Sequence, residues 1–307
     1  MLGLFLSHHF YTTIPMTVTP TITKFCHQIW QLDSIVLLSE KKNNQTYVVA
    51  EETPFHPVSH IWPDHPADKG KIEVLGQSYS VSHCLVGAVE LATNTLYVDK
   101  DIPVKRDAEG WAFVVVHCID DFNTELTTGE QVRFKVDKRY QQALSRGHSS
   151  GHLAYLALNK VLSKSYWRKD ADRKDPHGNY DFNSYAQVTS FVTEDTCHDV
   201  YRFGKTLRKR GLNSALVLED LDLIAERVNE QIAQWLSRES VVSMKCDGEY
   251  LTSSRYWSCD LGEGEVATIP CGGTHVNSLS EFQSIRVKLV QLDEQNIEMQ
   301  TDVNKVN

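Results

Sequence analysis

The sequence has 307 residues, 41% of them hydrophobic and 23% charged, proportions of an ordinary globular chain that exclude disordered, collagen-like and coiled-coil architectures. No run of about 18 apolar residues occurs, which excludes a transmembrane helix. A formal net charge of −9 excludes a general polyanion binder or DNA coat, so any contact with nucleic acid has to use a local basic patch.

The opening MLGLFLSHHFYTTIP has neither a basic n-region nor a small-residue cleavage site, which argues against a signal peptide. Met16 heads a better-patterned stretch, and residues 1–15 are expected to be a dispensable extension. Seven cysteines are an odd number in a chain too long to need disulfide staples. That usage suits a reducing compartment and leads us to expect a cytoplasmic protein.

From Thr17 to about Val136, short β-type runs are separated by turn residues, and strands are predicted at 34–38, 45–50, 71–75, 78–82, 111–118 and 130–136. The pattern predicts a small β-barrel over 16–137. Between two of the runs, PFHPVSHIWPDHPADKG is too rich in Pro and His for regular structure and long enough for a functional loop. Its His56, His60 and His65 offer a second metal site, but Pro57, Pro63 and Pro66 make ordinary turn structure the better expectation. From Lys138 the period changes: Tyr140, Leu144, Leu153, Leu156 and Val161 fall at helical intervals, so one or two helices cover 138–163. The polar stretch 163–213 is predicted to be partly irregular. A strongly amphipathic helix follows at 218–238, with Leu221, Ile224, Val228, Ile232 and Trp235 on one face. Strands return at 241–246, 265–270 and 284–290, where Ile285, Val287 and Leu289 share a face. The predicted class is α+β, a β-barrel followed by an α+β domain over 138–307.

Two motifs carry chemistry. His148 and His152, in HSSGH, lie four residues apart, so on a helix both imidazoles point from one face and can grip one cation. Alone this is weak, because thirteen histidines give roughly half such a pair by chance. Ser150 and Gly151 stand where a zinc protease needs its glutamate, which disfavours peptide hydrolysis. The second motif, Cys271-Gly272-Gly273-Thr274-His275, sets a thiol and an imidazole at the same spacing on a glycine-bent loop. One soft sulfur with three borderline nitrogens suits Zn(II). The two pairs lie much further apart than in a zinc finger, so the fold has to bring them together.

These segments resemble a known family, the alanyl-tRNA editing proteins, free-standing relatives of the editing domain of alanyl-tRNA synthetase (the second additional domain of threonyl- and alanyl-tRNA synthetases). VDKRYQQALSRGHSSGHLAYLAL is similar to the family's first zinc helix, LEDLDLIAERVNEQI to its second helix, and CGGTHVNSLSEFQSIRVKL to its ending segment. TPFHPVSHIWPDHPADKGKI has the outline of its N-terminal loop through Phe55, Pro57, Asp68 and Gly70. The resemblance covers about 16–290. It departs from the family at Val58–His65, where consecutive glycines and a glutamine are usual, and in an apparent insertion at about 163–213.

The resemblance implies hydrolysis of the ester joining a wrong amino acid, serine or glycine, to the 3′ end of tRNA(Ala), with zinc on His148, His152, Cys271 and His275. Ser149 either bonds the serine hydroxyl of the substrate or merely caps or faces solvent, and Thr274 either assists catalysis or supports the turn. For the tRNA acceptor end, Arg202, Lys205, Arg208, Lys209 and Arg210 form one basic cluster and Lys164, Arg168, Lys169, Arg173 and Lys174 a second, with Tyr166, Trp167 and Tyr201 expected to stack on unpaired bases. A solvated basic face with no ligand is the alternative. The 307 residues hold no P-loop and no aminoacylation core, so editing would act in trans and without ATP. Two other readings stay open: editing of seryl-tRNA(Thr), and a catalytically silent, zinc-stabilised RNA-binding protein. No membrane and no DNA partner is expected.

Overall fold

The computed structural model describes residues 17–42, 44–59, 61, 63–122 and 126–306. The expected extension 1–15 and His60 of the Pro/His loop lie outside the described residues.

The N-terminal half is a seven-stranded antiparallel sheet in the order Gly70–Val74, Gln131–Val136, Gln31–Lys42, Gln45–Ala50, Trp111–Asp120, Gln77–Glu90, Thr95–Val98. The strand Gly70–Val74 also pairs with Gln77–Glu90 through a tight turn at Leu75 and Gly76, both at positive φ. Six strands are thereby joined edge to edge in a ring. The continuous apolar run in WAFVVVHC reflects burial on both sides: Val115 packs with Val36, Val48, Ile72 and Phe134, whereas Val114 and Val116 pack with Leu37, Val49 and Val89.

The chain then enters a single helix, Lys138–Ser165, capped by the Asp137 carboxylate, which accepts from the Tyr140 N–H. Two glycines in mid-helix would ordinarily weaken it. Here close packing requires them: a Cβ at Gly147 would sit 2.5 Å from the Thr196 carbonyl oxygen, and one at Gly151 2.8 Å from Cys197 Sγ. Both atoms belong to the hairpin Gln187–Thr193/Thr196–Arg202, turned at Asp195 with φ 61°.

Residues 166–181 form neither helix nor strand, in keeping with a partly irregular 163–213, and the hairpin supplies regular structure to that stretch. It forms half of a four-stranded sheet with Asn296–Lys305 and Phe282–Gln291. The strand Gln187–Thr193 lies at the sheet edge and exposes Val188 and Phe191, so its burial lacks the regular alternation by which a strand is recognised. The amphipathic helix resolves into Ser214–Glu219 and Leu221–Leu236, and its face Leu221, Ile224, Val228, Ile232 and Trp235 is buried. Asn229 fixes it to the sheet, donating to the Val287 carbonyl at 2.9 Å and accepting from the Val287 N–H at 2.7 Å. A three-stranded sheet, Val242–Cys246, Arg255–Cys259 and Ala267–Pro270, leads into the CGGTH loop. Among the described residues no helix is long and apolar enough to cross a membrane.

Candidate metal centre

His148 and His152 leave the long helix one turn apart, and the loop after Ala267–Pro270 delivers Cys271 and His275 to the same point. One ligand atom from each of the four lies within 4.8 Å of the others. The Cys271 sulfur is 3.4 Å from His148 Nε2 and 3.2 Å from His275 Nε2. The loop is held by the Cys271 N–H, which donates to the Arg255 carbonyl at 2.9 Å.

The imidazoles are oriented from behind, as metal-binding histidines ordinarily are. His148 Nδ1 faces the Thr274 carbonyl at 3.3 Å. A carbonyl only accepts, so Nδ1 carries the proton and the Nε2 lone pair is left for the cluster. His275 Nδ1 lies 3.0 Å from Ser149 Oγ, which also accepts from the Val276 N–H at 3.2 Å. Burial and the neighbouring imidazoles hold His148 and His275 well below the ordinary imidazole range, and burial brings His152 down to about 3. All three are therefore neutral, as ligands must be. Burial pushes the Cys271 thiol up to about 12, and a cation beside it would reverse that shift. His152 Nδ1 is buried with no hydrogen-bond partner in the protein. One thiol and three neutral imidazoles without a carboxylate, two of them braced from behind, form a set that can hold a metal ion and fits zinc.

The serine and threonine beside the ligands are committed elsewhere. Ser149 is fully buried and bonded as above; Thr274, also buried, bonds Ser145 Oγ at 2.9 Å and His65 Nε2 at 3.3 Å. His65, which the sequence offers with His56 and His60 as a second metal site, instead stands beside the first cluster. It comes from the Pro/His loop, its ring 4.9 Å from that of His148 and 4.3 Å from that of His56. A Cβ on Gly273 would stand 2.5 Å from His148 Cε1 and 2.9 Å from His65 Cδ2, so only glycine lets both rings approach. The loop is anchored at Asp68, whose buried carboxylate accepts from the His56 N–H at 2.7 Å and from Gln141 Nε2 at 2.6 Å; Gln141 in turn accepts from the Trp30 indole at 2.8 Å. No local spacing signals His65, Ser145 or Gln141, because tertiary docking alone brings them in. Above the cluster opens a cavity of about 700 Å³, with His148, Cys271 and His65 in its lining and Arg106, Arg255 and Tyr256 among its walls.

The two basic segments run side by side: Trp167 bridges Leu212, Arg168 donates to Asn213 Oδ1 at 2.7 Å, and Arg210 pairs with Asp172 at 2.5 Å. Lys164, Arg168, Lys169, Lys205, Arg208 and Lys209 are exposed. Stacking by Tyr166 and Tyr201 is ruled out. Both are core residues, 2% and 0% exposed, with the Tyr166 hydroxyl on Asp220 and that of Tyr201 on Asn183.

No protein-family model matches the chain. Among curated proteins it is similar to alanine–tRNA ligases. That of Methanosarcina acetivorans is 32% identical over 85 residues, 27% of this chain and 9% of the ligase. That of Thermotoga maritima is 28% identical over 177 residues, 57% of this chain and 18% of the ligase. That of Acetivibrio thermocellus is 24% identical over 263 residues, 83% of this chain and 24% of the ligase. The chain is thus similar to alanine–tRNA ligases over about half to most of its length in the two longer alignments, while spanning under a quarter of each ligase.

Proposed function

We propose that this chain is a trans-acting, zinc-dependent aminoacyl-tRNA deacylase that clears mischarged tRNA(Ala), with seryl-tRNA(Ala), and also glycyl-tRNA(Ala), as substrates. One observation carries the reading: in a chain similar to alanine–tRNA ligases, an inward-facing thiol and three imidazoles converge beneath a cavity large enough for the end of an aminoacyl-tRNA. His148, His152, Cys271 and His275 would hold the ion, which when bound supplies a Lewis acid for the ester or its attacking water. Ser149 holds His275 in its tautomer, and Thr274 ties His148 through its carbonyl and His65 through its hydroxyl. We assign these two residues a positioning role. The loop at His65 lines one side of the cavity. An aminoacyl ester is labile, so positioning and charge stabilisation supply most of what the reaction needs. The exposed cations of 164–169 and 205–209 would meet tRNA phosphates, roughly 18 Å along the helix from His152 to Lys164.

Four donors, three on buried residues and one on the partly exposed Cys271, also equal the coordination number of a structural zinc site, which favours the silent RNA-binding reading as the second. Deacylation of seryl-tRNA(Ala) beside alanyl-tRNA(Ala), by native, chelator-treated and Cys271→Ala protein, separates the two. The expected result is metal-dependent loss of serine with alanine spared and none from Cys271→Ala. Metal-replete protein that leaves seryl-tRNA(Ala) intact would overturn the reading.

A further inference from the structure

The cavity above the four converging donors is lined at one point by a carboxylate that they do not use. Asp64 stands next to His65 in the Pro/His loop and lines the cavity with His148 and Cys271. It is the one acidic residue among the described residues of that lining, and it is not part of the His148, His152, Cys271 and His275 group. Its backbone carbonyl accepts from the Val192 N–H at 2.8 Å, which pins it to the edge strand Gln187–Thr193. The ring of His65, the next residue, is held by the Pro66 carbonyl at 2.9 Å and Thr274 Oγ1 at 3.3 Å. Burial raises the Asp64 carboxyl above its ordinary range; the N–H groups of Asp64 and His65 oppose the shift, and no cation among the described residues does. The two arginines of the lining are committed elsewhere. The Arg255 guanidinium donates to the Tyr250, Leu251 and Ser253 carbonyls and to Thr23 Oγ1, and Arg106 lies 3.4 Å from the Asp107 carboxylate.

We propose that Asp64 reads the α-ammonium group of the substrate, which makes the cavity selective for esters of amino acids with a free amino group over esters whose α-position is neutral. The inference rests on the deacylase reading above. The aminoacyl group of such an ester carries its positive charge on the carbon beside the ester carbonyl. Taken out of water into the cavity, that charge needs an anionic partner, and a charge-assisted N–H···O bond to a carboxylate is about twice as strong as a neutral one. Among the described residues of the lining, Asp64 alone is a carboxylate and can supply it. Pairing there also orients the ester: the carbon that bears the ammonium is bonded directly to the carbonyl, and His65, one residue on, packs its ring 4.9 Å from that of His148. Serine, glycine and alanine all carry the group, so Asp64 selects the class of substrate and leaves the choice of side chain to other contacts.

The test compares tRNA(Ala) esterified with serine and the same tRNA esterified with glyceric acid, which replaces the ammonium by a neutral hydroxyl of similar size. Both are given to the full metal-replete chain and to Asp64→Asn at about pH 6, where an α-amino group is protonated. The expected kcat/KM ratio of serine ester to glyceric ester is on the order of 10 to 100 for the unmodified chain and about one for Asp64→Asn, the loss falling on the serine ester. A non-hydrolysable 3′-seryl amide of 3′-amino-3′-deoxyadenosine, titrated calorimetrically beside its α-hydroxy counterpart, reads the same preference without turnover. Equal hydrolysis of the two esters by the unmodified chain, or an undiminished preference in Asp64→Asn, would overturn the proposal and leave deacylation standing. The first of these is read without a variant, so it holds even if Asp64→Asn fails to fold. Turnover of neither ester would overturn the deacylase reading, and the titration then decides the role of Asp64: binding that depends on the ammonium and is lost in Asp64→Asn supports it, and equal binding of both amides overturns it.

Discussion

Gly273→Ala tests the site's geometry without touching a ligand. Gly273 is not among the positive-φ glycines, so alanine fits the backbone and only the methyl group matters. That methyl would meet His148 Cε1 at 2.5 Å, His148 Nδ1 at 2.6 Å and His65 Cδ2 at 2.9 Å. Ordinary carbon contacts lie near 3.5–4.0 Å, so the His148 ring has to retreat by about 1 Å, several times the roughly 0.2 Å that metal–ligand distances tolerate. Displacement on that scale should weaken metal affinity by about 10- to 100-fold, or about 1.4–2.7 kcal/mol, with overpacking adding roughly 1–3 kcal/mol of lost stability. The neighbouring Gly272 has nothing within 4 Å of its Cβ position, so Gly272→Ala should leave affinity unchanged. Zinc competition against a chromogenic chelator, with denaturant unfolding of the metal-free proteins, reads both quantities. Equal affinities for the two variants would refute the argument that glycine at 273 exists to admit the His148 ring.

Ser149→Ala removes the oxygen behind His275 and leaves the Val276 N–H without its partner; we expect metal affinity to fall by about 10- to 100-fold and stability by roughly 1–3 kcal/mol, read by the same titration and unfolding assays, with wild-type affinity counting against a positioning role. Asp68 bears on pH, because burial raises its carboxyl from 3.8 to about 7 despite the two N–H groups it accepts. Between those values the folded chain keeps a proton that the unfolded chain has lost, so this contribution is complete below about pH 4 and is lost as pH rises to about 7. Asp68→Asn should therefore gain on the wild type across that interval, by on the order of a few kcal/mol, in urea titrations at pH 5 and pH 8; a difference independent of pH would remove the argument. Lys205→Gln and Arg208→Gln should weaken tRNA binding for all sequences alike and lower the log–log salt slope by about one for each lost phosphate contact. An unchanged slope would mark this basic face as merely solvated.

The His148, His152, Cys271 and His275 cluster is legible in the sequence because each pair lies within one continuous piece of backbone, where a spacing of four has a fixed geometric meaning. The long helix is legible from Leu144 to Val161 although glycine propensity argues for a break, since the cost at Gly147 and Gly151 is offset by a hairpin that only the fold reveals. The hairpin escapes notice because Gln187–Thr193 is an edge strand, half exposed and without clean alternation. Tyr166 and Tyr201 mislead for a related reason. Each stands beside basic residues in the sequence while its own side chain turns into the core. His65 stands out in the sequence only as part of the His56, His60 and His65 loop; its place beside His148 is hidden, since a loop is free of any period and its docking depends on Asp68, Gln141 and Gly273, each in a different part of the chain.

The Cys271–His148 contact spans 123 residues and the His65–Thr274 contact 209. On a ribosome adding about 5–20 residues per second, the helix emerges roughly ten seconds before the cysteine loop. The two imidazoles of the helix then wait without their partners, and loop closure over such distances carries a large entropic cost until packing offsets it. Capture of an ion by these four residues, as proposed, would consequently be a late event in maturation. A newly made molecule would then pass through a metal-free interval in which chelators and competing cations act on it more readily than on the finished protein.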